Sequence, residues 1–191
     1  MQFRTATILL LCALVPSFTS CGSSTGPEGQ EPDGPPWEYP DSAYKVIENL
    51  EYAYETMDLE LYMSCFRYDF EFTGCVQPEP TTWGYVTEGL VHDCMFDIVY
   101  DVDLAFEGSG ESPWSGDSTG ESLELERIFD LNVYMDEYSG FRASGQEIFI
   151  CRPDGDGTWY VWKWFDYSDT KERMTWCGIK QQFMGDRPGV R

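Results

Sequence analysis

The order of hydrophobic and polar positions divides the chain into helical and extended stretches. Val46, Ile47, Leu50, Ala53, Tyr54 and Met57 recur at the spacing of one face of a helix, which predicts an amphipathic helix. Asp41 or Ser42, just after Pro40, is placed to cap its start. Asp58 ends this stripe and can cap a second short helix carrying Leu59, Tyr62, Met63 and Phe66. At Tyr68 the period changes to two. Tyr68, Phe70 and Phe72 alternate with Asp69, Glu71 and Thr73, the pattern of a half-buried strand. A turn-rich loop with Pro78 and Pro80 follows, and Trp83-Gly84 leads into a third helix. Thr87 is its expected cap, and Leu90, Val91, Cys94, Met95 and Ile98 are its stripe.

Strands dominate the second half. Tyr100, Val102, Leu104 and Phe106 form one, and residues 107–122, rich in Gly and Ser, read as a long flexible loop. Two further strands are expected over 123–135 and 141–151, the first with Leu125, Phe129, Leu131 and Val133 on one face. Asp154-Gly155-Asp156-Gly157 is a hairpin turn signal. It lacks the later ligands of a calcium loop, since position 158 is Thr and no suitable Glu follows. The last strand is 158–166, and residues 167–191 show no period. Helices first and hairpin-linked strands after predict an α+β domain.

Two polar residues fall in apolar phase, Arg127 on one strand and Glu147 beside Phe149 on the next. A β-bulge that turns both outward is the preferred reading. The alternative is an inward pair that makes a polar pocket. His92 lies beside the third stripe without an evident catalytic partner, and reads as packed or solvated. No Gly-rich phosphate loop, nucleophile motif, cofactor motif or paired metal-ligand spacing occurs, so neither cofactor nor metal is expected.

The N-terminus carries a targeting signal. Arg4 precedes an apolar run from Ile8 to Val15, far shorter than the ~20 residues that span a bilayer. Phe18-Thr19-Ser20-Cys21 resembles the lipobox of bacterial lipoproteins, which implies a signal peptide over 1–20 and lipid attachment at Cys21. Gly22, rather than Asp, follows the cysteine. The expected location is therefore the bacterial cell envelope, at the outer membrane where the cell has one. Residues 21–40 are a Gly-, Pro- and Ser-rich tether, from which Trp37 and Tyr39 can fold back onto the domain. An exported chain permits disulfides, and a Cys151–Cys177 bridge would staple the patternless tail to the sheet. The formal net charge of −22 disfavours nucleic acid. Lys171, Arg173, Lys180, Arg187 and Arg191 make residues 168–191 a basic tail, expected to be solvated.

The ordered motifs over residues 41–167 resemble the NTF2-like superfamily, the group of SnoaL-like proteins, polyketide cyclases and ketosteroid isomerases. They are Ala53-Tyr54, Asp58, Tyr62, Asp69-Phe70 with Phe72, Trp83-Gly84, and the closing Trp159-Tyr160-Val161, Trp164 and Asp166. The resemblance implies a cone of three N-terminal helices on a curved antiparallel sheet, open to a ligand at one end. Homodimers through the outer sheet face occur in the family. Its isomerases place a Tyr and an Asp where this chain has Leu50 and Gly74, and its dehydratases use two histidines where this chain has His92 alone. Tyr54, Asp69 and Glu71 are the nearest substitutes, but Tyr54 lies in a core stripe and both acids alternate away from it. The expected pocket polar groups are Glu71, Arg127 and Glu147. The reading is a membrane-anchored module that binds a small apolar ligand or a protein without catalysis. The alternative is a cyclase- or isomerase-type enzyme working through a pocket carboxylate.

Overall fold

Residues 37–40 lead the chain onto its domain. Glu38 and Asn49 exchange hydrogen bonds, Glu38 N donating to Asn49 Oδ1 (3.0 Å) and Asn49 Nδ2 to Glu38 O (2.6 Å). Trp159 N donates to Pro40 O at 2.8 Å. The computed structural model describes residues 37–74, 80–116, 121–167 and 174–184. The expected signal peptide, the expected lipid site at Cys21 and most of the expected tether lie outside them.

Helix α1 spans Ala43–Glu55, with the Ser42 hydroxyl accepting from Lys45 N at its start. Asp58 caps α2, Leu59–Ser64, by accepting from Leu61 N at 3.0 Å. Both caps are the residue types that satisfy first-turn amides. The chain then enters β1 (Phe66–Gly74), β2 (Thr81–Gly84), α3 (Tyr85–Ile98), β3 (Asp101–Pro113), β4 (Leu123–Tyr134), β5 (Gly140–Pro153), β6 (Trp159–Asp166) and α4 (Trp176–Met184). One six-stranded sheet runs β2-β1-β6-β5-β4-β3, with the helices and core on its concave face.

Several expectations change. Only α1 and α2 precede the sheet, because α3 follows β1 and β2. The sheet is mixed, since β1 runs parallel to β6. Tyr68 is 89 % exposed, while Phe66, Phe70 and Phe72 are buried, because the pairing of β1 with β6 is irregular between Phe66 and Glu71. Gly84, not Thr87, occupies the cap of α3, and Leu90 and Ile98 are exposed. Glu107–Pro113, read as loop, extends β3 and pairs with β4 through an irregularity at Gly108 (φ 99°). The hairpin turn forms as expected: Gly157 adopts φ 86°, and the Asp154 and Asp156 carboxylates accept from Gly155 N and Thr158 N.

The largest correction concerns the C-terminus, where residues 176–184 are a helix within the core. Trp176, Cys177, Ile179, Lys180 and Phe183 are buried, and Gly178 N donates to the Thr175 hydroxyl at its start. Cys177 is disulfide-bonded, but Cys151 is a free, buried thiol, so the expected Cys151–Cys177 bridge does not exist. Burial pushes the Cys65 thiol up to about 12 and raises Cys151 as well, which leaves both unreactive.

Candidate functional site

The concave face of the sheet holds a group of ionisable side chains without access to solvent. α1 contributes Tyr54 and α2 Tyr62, both placed inward by their helical stripes. α3 contributes Glu88 and His92 one turn apart, β5 Glu147, β6 Asp166 and α4 Lys180. Each is no more than 2 % exposed.

Their hydrogen bonds form three sets. In the first, Trp176 Nε1 donates to Tyr54 Oη at 2.8 Å, and Tyr54 Oη bonds His92 Nε2. His92 Nδ1 faces the Glu88 carbonyl at 3.0 Å. A carbonyl can only accept, so Nδ1 carries the proton and Nε2 accepts from Tyr54. Burial lowers the His92 pKa to about 4, which keeps this neutral tautomer at ordinary pH. The second set centres on the Glu88 carboxylate. Its oxygens accept from Tyr62 Oη, from Trp83 Nε1 and from Lys180 Nζ, the last at 2.6 Å. Burial alone would raise Glu88, but the Lys180 ammonium, His92 and the Tyr62 bond outweigh it and hold the carboxyl below its usual value. Burial pulls Lys180 down against the Glu88 charge. The three donors on Glu88 keep the pair ionised.

Glu147 and Asp166 are cross-strand partners. Glu147 Oε2 accepts from Trp164 Nε1 at 2.5 Å, while no donor faces Oε1. Burial and the Asp166 charge push Glu147 well above the usual carboxylate range. Glu147 is therefore the acid of the pair and can donate to Asp166. Asp166 Oδ2 in turn accepts from Cys177 N at 2.7 Å, at the start of α4.

Sequence reasoning placed one of its three pocket groups here. Glu147 points inward, so the outward bulge does not occur; β4 and β5 pair in unbroken register with Arg127 opposite Glu147. Arg127 is buried too, but at the rim, with its guanidinium 5.1 Å from the Tyr44 ring centroid and Nη1 donating to Glu126 O. The two do not pair. Glu71 lies on the outer face in an ion pair with Lys163 at 3.1 Å, and Asp69 pairs with Arg152 there. Neither lines the interior. Leu50 is core, and Gly74 abuts α4, where a Cβ would come within 2.8 Å of Cys177 Cβ and of the Phe72 ring. His92, read as packed or solvated, is packed and bonded to Tyr54. Lys180 and Glu88 were missed. The signal for Lys180 was its place among Trp176, Ile179 and Phe183, the i, i+3, i+4, i+7 spacing of a buried helix face.

Chemically this set is closed. The acceptor nitrogen of His92 is taken by Tyr54, and the carboxylate of Glu88 by three donors. Tyr54, Tyr62, Phe72, Phe149, Trp164, Trp176 and Lys180 are all fully buried. The two described grooves lie elsewhere. One of about 200 Å³ lies between Trp37, Tyr39 and Arg67, and one of about 440 Å³ lies between Glu60, Tyr68 and Tyr85.

No family model and no curated protein matches the sequence. Solved structures do match the fold. A candidate aromatic ring hydroxylase from Novosphingobium aromaticivorans superposes with a TM-score of 0.54 at 12 % identity, over 64 % of this chain and 82 % of its own. A candidate scytalone dehydratase from the same species gives 0.53 at 11 %, over 64 % and 78 %. A conserved protein from Planctomyces limnophilus gives 0.52 at 13 %, over 64 % and 89 %. The fold is NTF2-like. At these identities the likeness carries the architecture alone. In this NTF2-like cone the interior is occupied by the chain's own C-terminal helix.

Proposed function

We propose that this chain is a lipid-anchored, non-enzymatic binding module of the bacterial envelope, built on an NTF2-like cone that α4 keeps closed. The observation that carries this reading is the complete burial of Trp176 and Lys180 of α4 at the centre of the concave face. A catalytic cone needs a place for substrate beside its acid and base. Here every such group is bonded to another side chain of the protein. Attachment through Cys21 rests on the lipobox-like sequence. Acyl chains supply the membrane affinity in that reading, at ~0.8 kcal/mol per buried CH₂.

The test is binding of an environment-sensitive neutral apolar dye to the compact unit Pro32–Arg191. A closed cone gives no saturable binding while the chain still unfolds cooperatively. Saturable binding at one site would instead favour an enzyme or an open ligand pocket. For the anchor, Cys21→Ser should remove incorporated radiolabelled palmitate and release the protein from membranes. Continued labelling of that variant would rule out Cys21 as the lipid site.

A further inference from the structure

An apolar side chain at position 180 would plug the cone without stripping water from an ammonium group. Buried ion pairs are often no more stabilising than apolar residues of the same volume. The surroundings of Lys180 Nζ are nevertheless those of a cation site. The ammonium nitrogen lies 3.6 Å from the Trp164 ring centroid, 4.0 Å from that of Phe72, and 5.9 Å from those of Trp83 and Trp176. Aromatic faces on several sides of a cation attract it through their quadrupoles, most strongly where water is excluded. Glu88 supplies the counter-charge at 2.6 Å. Glu147, fully buried, is a second acid of the same interior.

Five of these six groups lie on β1, β2, α3, β5 and β6, outside α4. The cage therefore belongs to the cone, and only Trp176 and the ammonium come from the C-terminal helix. Cys177, next to Trp176 in the first turn of α4, is disulfide-bonded. Lys180, one turn further on, has no such tie.

We propose that the cone contains a binding site for a primary ammonium on a short unbranched apolar stem, and that Lys180 occupies it in cis. The proposal rests on the closed-cone reading and names the ligand class of the same interior. The stem follows from the space that the Lys180 methylenes fill. A tethered competitor acts at an effective concentration of order millimolar, so an external amine binds the native chain weakly and binds better once Lys180 is removed. In the native chain its entry is coupled to withdrawal of Lys180.

The probe is n-butylammonium chloride, with n-butanol as the uncharged stem and sodium chloride at equal ionic strength as the salt control. The full chain and its Lys180→Ala variant are titrated, read by tryptophan fluorescence and by Tm. The expected result is a saturable response of Lys180→Ala to n-butylammonium, at least tenfold tighter than that of the native chain, with no response to n-butanol. Lys180→Ala combined with Glu88→Gln should lose it. A folded Lys180→Ala that responds to both probes alike, or to neither, overturns the proposal. If Lys180→Ala does not fold unaided, refolding in n-butylammonium but not in n-butanol supports the site, and refolding in neither or in both overturns it. The dye experiment separates the two readings. Dye binding by the native unit removes the closed cone, whereas amine failure alone leaves it standing.

Discussion

Single residues decide how tightly α4 is held. Lys180 and Glu88 are both inaccessible, so removing either partner leaves a charge with no water to solvate it. Glu88→Gln should destabilise the domain by about 3–5 kcal/mol, the cost typical of breaking a buried pair, measured by urea unfolding. An equal loss from Glu71→Gln, whose carboxylate meets Lys163 at the surface, would contradict the assignment; that change should stay within about 0.5 kcal/mol. His92 sets an acid limit. Its folded pKa is about 4 against an ordinary value of 6.5, so the unfolded chain binds more protons between those values. Stability should therefore fall as pH drops from 6.5 towards 4, by at most about 3 kcal/mol at ~1.4 kcal/mol per unit. Glu147 acts in the opposite direction. Its folded pKa is raised, so its contribution is complete below 4.5 and is lost as pH rises through the folded value. His92→Gln should flatten the acid limb of a stability–pH curve, and an unchanged limb would remove His92 as its cause.

At the level of elements, α4 is the keystone of the core. Trp176 touches the rings of Tyr54, Phe106, Phe129 and Trp164, at centroid distances between 4.8 and 5.7 Å. Trp176→Ala should cost about 3–5 kcal/mol, as large aromatic truncations do where the cavity cannot collapse. Deleting the chain from residue 174 onward should bare the concave face. The truncated protein should either bind the neutral dye that the intact unit excludes or lose cooperative unfolding. A truncated form with native stability and no dye binding would show that α4 is not the closure. The caps of α1 and α2 and the hairpin at 154–157 are local, by contrast. Their bonds join residues three or four apart or closer, which is why Ser42, Asp58 and the Asp-Gly turn could be read directly.

Over the whole molecule, the sheet separates two chemistries. Its concave side is apolar around an enclosed group of hydrogen-bonded polar side chains. Its outer side carries exposed ion pairs such as Glu71–Lys163 and Asp130–Arg142. Added salt screens those exposed pairs rather than the buried Glu88–Lys180 pair. Among the described residues no helix is long and apolar enough to cross a membrane. The proposed function assigns association with the membrane to a lipid at Cys21.

The sequence by itself determined the elements whose pattern is local: α1, α2, the alternation of Phe70 with Phe72, the inward face of β4 at Leu125, Phe129, Leu131 and Val133, and the hairpin between β5 and β6. It also carried the resemblance in fold, because the order of short motifs follows the order of the elements. Only the tertiary structure decided what fills the cone. α4 shows one buried stripe, but Lys180 interrupts its hydrophobicity, and a lysine reads as solvent-facing until Glu88 and the aromatic rings are seen around it. The outward position of Tyr68 depended on an irregularity where β1 meets a strand almost a hundred residues away. The pairing of Tyr54 with His92, and of Glu88 with Lys180, joins residues 38 and 92 positions apart. No periodicity along a chain encodes such distances; packing across layers does.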